Sequence, residues 1–212
     1  MSSNIEQHEH TFKILVTGPF AAGKTSLIQA ISQSPVVTTE VATSGEEAVV
    51  KANTTVAMDF GTFALNPLAD GEELVHLLMF GTPGQERFRF MTDILKADVD
   101  VVTFVVDARA PASFQEARGM LALVMNDLRV PLVIAVNRCD DRDQARLVAE
   151  YLGVAADVPA IPCQLIDPES GREVVAEVLV ALLQSAESAE TTTNDGPTAS
   201  STDRTLVPHG GI

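Results

Sequence analysis

Apolar residues fall into short runs separated by polar stretches, and the spacing within each run predicts its element. Phe12–Thr17 (FKILVT) reads as a strand ending at Gly18. Lys24–Gln33 carries Leu27, Ile28 and Ile31 at helical spacing. Ser34–Asn53 is rich in Thr, Ser and Glu and reads as a long irregular loop. Thr55–Leu65 and Glu73–Phe80 read as strands. Asp70-Gly71 between them is a hairpin-type turn signal, so this pair is expected to be antiparallel. Asp100–Val106 (DVVTFVV) and Pro131–Val136 are continuous apolar runs of the kind buried on both faces. Ser113 and Glu116 spell a capping box before a helix expected to reach about Leu128. A short helix is expected over Asp143–Leu152 and a last short strand over Ala160–Pro162. Glu169–Gln184, with Val175, Val178, Leu179 and Leu182 on one face, reads as the closing helix.

Strands alternating with helices imply a three-layer α/β fold with a mostly parallel sheet covered on both faces. The expectation is about six strands, one of them antiparallel at an edge. Ligands of such sheets bind beyond the carboxyl ends of the strands, so the loops there should carry the chemistry. Residues 1–10 are polar and read as a flexible N-terminus, and 11–184 as one domain. Residues 185–212 are Ser/Thr/Gly/Pro-rich with few large apolar side chains, a composition that cannot offset its ordering entropy. A disordered acidic tail is expected there.

Charge narrows the partners. The 212 residues hold 14 Lys plus Arg against 29 Asp plus Glu, a formal net charge of −15. Residues 1–10 contribute −2 and 185–212 contribute −3, so −10 sits in the body. Such a balance argues against nucleic acid, whose phosphates need a basic face, and against a polybasic membrane anchor. No apolar run approaches the roughly 18–20 residues of a spanning helix. MSSNIEQHEH has no signal-peptide pattern, Ser2 excludes myristoylation, and a terminal HGGI without Cys excludes prenylation. Two cysteines form no disulfide framework. A cytoplasmic protein with no direct lipid anchor is expected.

Two loops carry specific chemistry. Gly18-Pro-Phe-Ala-Ala-Gly23-Lys24-Thr25 is a GxxxxGKT string between a strand and a helix, the context that identifies a phosphate-binding loop. Its glycines let backbone N–H groups converge on phosphate oxygens, and the helix N-terminus adds a positive dipole end. Lys24 is expected at the β- and γ-phosphates and the Thr25 hydroxyl at Mg²⁺. Asn137-Arg138-Cys139-Asp140, after the strand PLVIAV, looks like the NKxD motif that selects guanine, with Arg for Lys. A carboxylate at 140 can accept from both the ring N1–H and the exocyclic amine of guanine. Asn137 can bond the base or brace the phosphate loop, and Arg138 can pack over the purine face.

A third segment, Gly81-Thr-Pro-Gly84-Gln85-Glu-Arg-Phe88, resembles the DTAGQERF motif of Ras-superfamily GTPases. Thr55-Val-Ala-Met-Asp-Phe60 resembles their TxxxDF segment, and Cys163-Gln164 stands where they place a last base-contacting loop. The matches cover about residues 12–184. Two departures are informative. The Asp that begins DTAG, which supports Mg²⁺ through water, is Gly81, and the third residue of the phosphate loop is the bulky Phe20. In these respects the chain is similar to bacterial small Ras-like GTPases of the MglA gliding-motility and conservon type.

The resemblance implies a Ras-like G domain that binds GTP/GDP with Mg²⁺ and hydrolyses GTP slowly, as a switch. The implied nucleotide contacts are Gly18, Phe20, Ala21, Ala22, Gly23, Lys24, Thr25, Ser26, Thr55, Gly84, Asn137, Arg138, Asp140, Cys163 and Gln164. Thr25 and Thr55 are the implied metal ligands. Gln85 would orient the attacking water, with Lys24 as the second catalytic residue. Arg87 and Arg89 read as solvated loop charges rather than internal arginine fingers. Implied partners are a roadblock/LC7-type regulatory protein and an effector that reads Ser34–Gly61 and Gly81–Met91. Gly81 and Phe20 suggest an alternative, a GTP-binding interaction module that does not hydrolyse. An ATP-using P-loop enzyme is the other rival. Asp59 and Asp107 could serve the metal in place of the missing Asp but read as structural caps. His8, His10 and His76 read as non-ligands, and Cys139 lies beside the base-reading loop.

Overall fold

The computed structural model describes residues 9–41, 56–65, 74–82, 98–126 and 128–193. Among the described residues seven strands form one sheet: β1 (Glu9–Thr17), β2 (Val37–Val41), β3 (Val56–Leu65), β4 (Leu74–Gly81), β5 (Val101–Asp107), β6 (Leu132–Asn137) and β7 (Ala160–Cys163). Their order across the sheet is β2-β3-β4-β1-β5-β6-β7. β1 pairs in parallel with β4 and β5, and β6 in parallel with β5 and β7. β3 runs antiparallel to β4, as its hairpin signal requires, and β2 runs antiparallel to β3. The turn at Asp70-Gly71 lies outside the described residues.

The α/β architecture is the expected one, with differences at its margins. The antiparallel strand is one place in from the edge, because VTTEV at Val37–Val41 pairs outside it. That β-branched segment lies inside the stretch expected to be an irregular loop; its polar surroundings hide a strand that needs only one partner. The expected capping box does not form. Ser113 has helical backbone angles within a short 3₁₀ turn, and its hydroxyl donates to the Ala110 carbonyl at 2.8 Å. The closing helix runs Pro168–Thr193, nine residues past its expected end. Residues 194–212 lie outside the described ones.

Alternation along the central strands builds two cores. Ile14, Val16, Val101, Val105, Val133 and Ala135 face α1 (Lys24–Ile31) and the long closing helix, meeting Leu27, Ile28, Ile31, Val174, Val175 and Val178. Phe104, Val106, Ile134 and Val136 face the other way. They pack on Ala117 and Leu121 of α2 (Phe114–Met125) and on Ala145, Val148 and Ala149 of α3 (Arg142–Tyr151). All seven residues of β5 are buried. The apolar run that predicted a strand covered on both faces is therefore an interior strand, between β1 and β6.

α3 is capped by the Asp141 carboxylate, which accepts from the Gln144 N–H at 2.8 Å. α1 has no side-chain cap and no acidic residue in its first turn, so its N-terminal N–H groups are presented without competition from the protein's own side chains. Its position depends on the closing helix, α4 (Pro168–Thr193), which meets it at Gly171. A Cβ at 171 would stand 2.9 Å from Ile31 Cγ2 and 3.2 Å from Ala30 Cβ. We predict that Gly171→Val costs about 1–3 kcal/mol of stability through overpacking. Urea unfolding checks this, and an unchanged midpoint would contradict the close approach.

Candidate nucleotide site

Gly18–Thr25 follows the C-terminal end of β1 and opens α1. The turn is possible because three residues take positive φ: Gly18 at 143°, Ala21 at 59° and Gly23 at 113°. At Gly18 close approach matters as well, since a Cβ would stand 2.1 Å from the Val105 carbonyl oxygen on β5. At Gly23 it would stand 2.3 Å from Asn137 Nδ2. Ala22 is buried under the loop, Ser26 lies exposed on α1, and the Phe20 side chain is 70% exposed.

Lys24 is only 8% exposed, and its ammonium donates to the Gly18 and Pro19 carbonyls at 2.8 and 2.7 Å. Burial lowers its pKa to about 8, against opposing attraction from Asp59 and then Glu116. A phosphate ligand supplies the negative charge that burial leaves wanting, so the bound pKa should rise. The sign follows: affinity contributed by Lys24 is complete below about pH 8 and declines as pH rises through the free and then the bound value. We predict that nucleoside diphosphate binding takes up more protons through Lys24 near pH 9 than near pH 7. Calorimetry in buffers of different ionisation enthalpy measures it. Equal uptake at the two pH values, or the same uptake in Lys24→Met, would contradict it.

Asn137, at the end of β6, ties the site together. Its Nδ2 donates to the Ala22 carbonyl at 2.9 Å, while its Oδ1 accepts from the Arg138 N–H at 2.9 Å and from the Leu165 N–H at 3.0 Å. One buried amide thus joins the phosphate loop, the 137–140 loop and the loop after β7. Of the two roles open to Asn137 from its motif, the structure shows the brace. We predict that Asn137→Ala costs about 1–3 kcal/mol, because two backbone groups and a loop carbonyl lose their partner. Thermal melting of the unliganded protein tests it, and an unchanged Tm would show the brace to be dispensable.

Beyond the brace, Asp140 is exposed and accepts from Gln164 Nε2 at 2.8 Å. Gln164 is itself held by its backbone N–H, which donates to Ser170 Oγ at 2.9 Å. Arg138 has φ 57°, and its guanidinium pairs with the buried Asp107 carboxylate at the end of β5. Asp107 also accepts from the Arg109 N–H at 2.9 Å. Cys163 turns its thiol into the core, and burial, with Cys139 and Glu173 adding, pushes it up to about 12. Its loop-side contribution is the carbonyl that accepts from the Cys139 N–H at 3.3 Å. Cys139 is buried, its thiol donating to the Asp141 carbonyl and Gln144 Oε1 at 3.2 and 3.3 Å.

The Thr25 hydroxyl donates to Asp59 Oδ2 at 2.5 Å. Sequence reasoning treated Asp59 as a strand-end cap; its TxxxDF position alone does not show that β3 turns the carboxylate toward the phosphate loop. Asp107 and Gln164 meet Arg138 and Asp140 across 31 and 24 residues of sequence, so neither pairing is visible in a local motif. Thr55, Gly84, Gln85, Arg87 and Arg89 lie outside the described residues. Thr82, just before them, is buried, with its hydroxyl on Thr17 Oγ1 at 2.8 Å. Among the described residues no helix is long and apolar enough to cross a membrane.

A glycine loop feeding an uncapped helix, a buried lysine, and a neighbouring loop that ends in an acceptor carboxylate define a P-loop nucleotide-binding protein of the α/β class. The chain belongs to the family described as conserved hypothetical ATP binding proteins, whose family model matches residues 16–203. It is also similar to Ras-related proteins. Human Rab-7L1 is 31% identical over 140 residues, 62% of this chain and 61% of that protein. Human Rab-32 is 28% identical over 146 residues, 64% and 56% of the two chains. A mouse Ras and EF-hand domain-containing protein homolog is 26% identical over 180 residues, 81% of this chain but 26% of that one. The chain thus spans about three fifths of the Rab-7L1 length. Similarity to the Ras-related proteins agrees with the motif resemblance at that coarser level.

Proposed function

We propose that this protein binds guanine nucleotides with Mg²⁺ and hydrolyses GTP slowly, alternating between two conformations of its switch segments. The observation that carries this reading is the Asn137 amide, which fixes the phosphate loop and the Asp140 loop as one unit. A nucleotide seated with its phosphates on Gly18–Thr25 would have its base near residues 137–140 and 163–165.

Base choice follows from acceptor chemistry. The family description names ATP, but Asp140 offers only acceptors, one oxygen already engaged by Gln164. Guanine presents N1–H and an amine to such a carboxylate. Adenine presents a ring nitrogen lone pair where guanine has N1–H, which sets acceptor against acceptor. The Ras-related relatives support the same choice. Mg²⁺ would neutralise charge on the terminal phosphates during transfer, with Thr25 among its ligands. The roles of Thr55 as metal ligand, Gly84 as phosphate contact and Gln85 as water-orienting residue rest on the GTPGQERF and TxxxDF resemblance. So does regulation by a roadblock/LC7-type partner and an effector. A cytoplasmic site of action is supported by two free thiols buried in the core.

We predict that the protein binds GDP at least about 100-fold more tightly than ADP, because adenine sets a ring lone pair against the Asp140 carboxylate. Asp140→Asn should shift preference toward xanthine nucleotides, which replace the amine by a carbonyl. Competition against a fluorescent GDP analogue measures both. Equal displacement by GDP and ADP would overturn the guanine assignment and favour the ATP-using reading.

A further inference from the structure

We propose that Asp107, at the end of β5, is a positioning residue for the nucleotide base: it pins the Arg138 guanidinium so that the arginine stem forms a fixed apolar plate for the purine. This rests on the guanine nucleotide reading above and adds a residue to its base side.

The first observation is topological. β1, β5 and β6 are adjacent and parallel, so their C-terminal ends lie side by side. The phosphate loop follows β1, and the 137–140 loop follows β6. Asp107 ends the strand between them and is the direct Cα partner of Asn137. A side chain drawn from Arg138 to Asp107 therefore runs from the base loop toward the phosphate loop. A purine and its ribose must cover that ground when the phosphates sit on Gly18–Thr25 and the base edge meets Asp140.

The second observation is that Arg138 is held at both ends. Its backbone N–H donates to Asn137 Oδ1 at 2.9 Å, in a turn with φ 57°. Its guanidinium pairs with Asp107 Oδ2. The other carboxylate oxygen, Oδ1, accepts from the Arg109 N–H at 2.9 Å, so Asp107 is itself fixed by its own turn. The Asp107 side chain is 9% exposed and that of Arg138 49%, so the anchor is sealed while the arginine keeps an uncovered face. Methylenes stretched between two fixed points lose little freedom when a ring packs on them.

The third point is charge. A free guanidinium beside a polyphosphate would be drawn to the phosphate oxygens. Asp107 supplies a closer partner that is already engaged, which leaves the phosphates to Lys24, the loop N–H groups and the cation. The pairing also accounts for arginine in the NRCD string. A guanidinium is a planar, pre-organised fork suited to a carboxylate, whereas a lysine ammonium is a strongly hydrated point charge on a flexible stem. Arg138 and Asp107 thus act as one device.

The test is a double-mutant cycle on the full-length protein, reading release of a fluorescent GDP analogue in millimolar Mg²⁺. Asp107→Asn keeps an oxygen for the Arg109 N–H and removes the charge that holds the guanidinium. Asp107→Asn and Arg138→Met should each speed release roughly tenfold, and the double variant no further than either, the signature of two residues acting as one. Competition by GDP and IDP separates positioning from collapse of the loop. The plate touches ring faces that guanine and hypoxanthine share, so both ligands should weaken equally, and the preference for GDP over IDP set at Asp140 should stay. Asp107→Ser, whose hydroxyl can still accept from the Arg109 N–H, repeats the cycle if the asparagine variant melts below the assay temperature. Additive effects in the double variant, unchanged or slower release in Asp107→Asn, or a lost preference for GDP over IDP would overturn the proposal. A wild type that binds no analogue, or that does not prefer GDP to ADP, would overturn the nucleotide reading instead.

Discussion

A single buried side-chain amide holds this site in shape. Asn137 sits where β6 ends, and its three hydrogen bonds reach three loops from different parts of the chain. Each loop exposes backbone groups that the sheet cannot satisfy, and a buried polar group without a partner is expensive. Asn is the right residue because its amide has a donor and an acceptor at fixed separation. The Gly23 contact shows how tight the arrangement is: the amide lies where a Cβ at 23 would be. Phosphate cradle and base-side carboxylate are thus placed relative to each other before any ligand arrives, which reduces the ordering cost of binding.

The sheet explains why these loops meet. β1, β4, β5 and β6 all end on one side, and β5 is sealed from water on both faces. A rigid centre lets the carboxyl-end loops approach to hydrogen-bond distance without collapsing into the core. It also concentrates charge. The body carries −10 overall, yet attraction for a polyphosphate needs only local groups: α1's uncapped N-terminus, Lys24 and a cation. Two aspartates near these groups have specific partners, Asp107 on Arg138 and Asp59 on Thr25. Acidity at this end of the sheet therefore holds the Arg138 guanidinium and the Thr25 hydroxyl in place.

Much of this was legible in the sequence for physical reasons. GxxxxGKT requires glycines where φ is positive, and DVVTFVV can only be a strand covered on both faces. What was not legible depends on pairing across the chain. VTTEV looks like loop until β3 is beside it. Ser113 and Glu116 satisfy a capping-box pattern, but a preceding proline-led 3₁₀ turn gives the serine hydroxyl a nearer carbonyl. Asp59 reads as a strand-end cap and Gly81 as a departure from the motif, and only the ladder shows that the two are direct partners.

The account's central claim is that three separate loops act as one preassembled guanine nucleotide site. Amide hydrogen exchange with and without GDP and Mg²⁺ tests it most directly. The account predicts that protection rises together over residues 18–25, 137–140 and 163–165, and that ADP at the same concentration fails to produce it. Protection confined to residues 18–25, or equal protection by ADP, would contradict it.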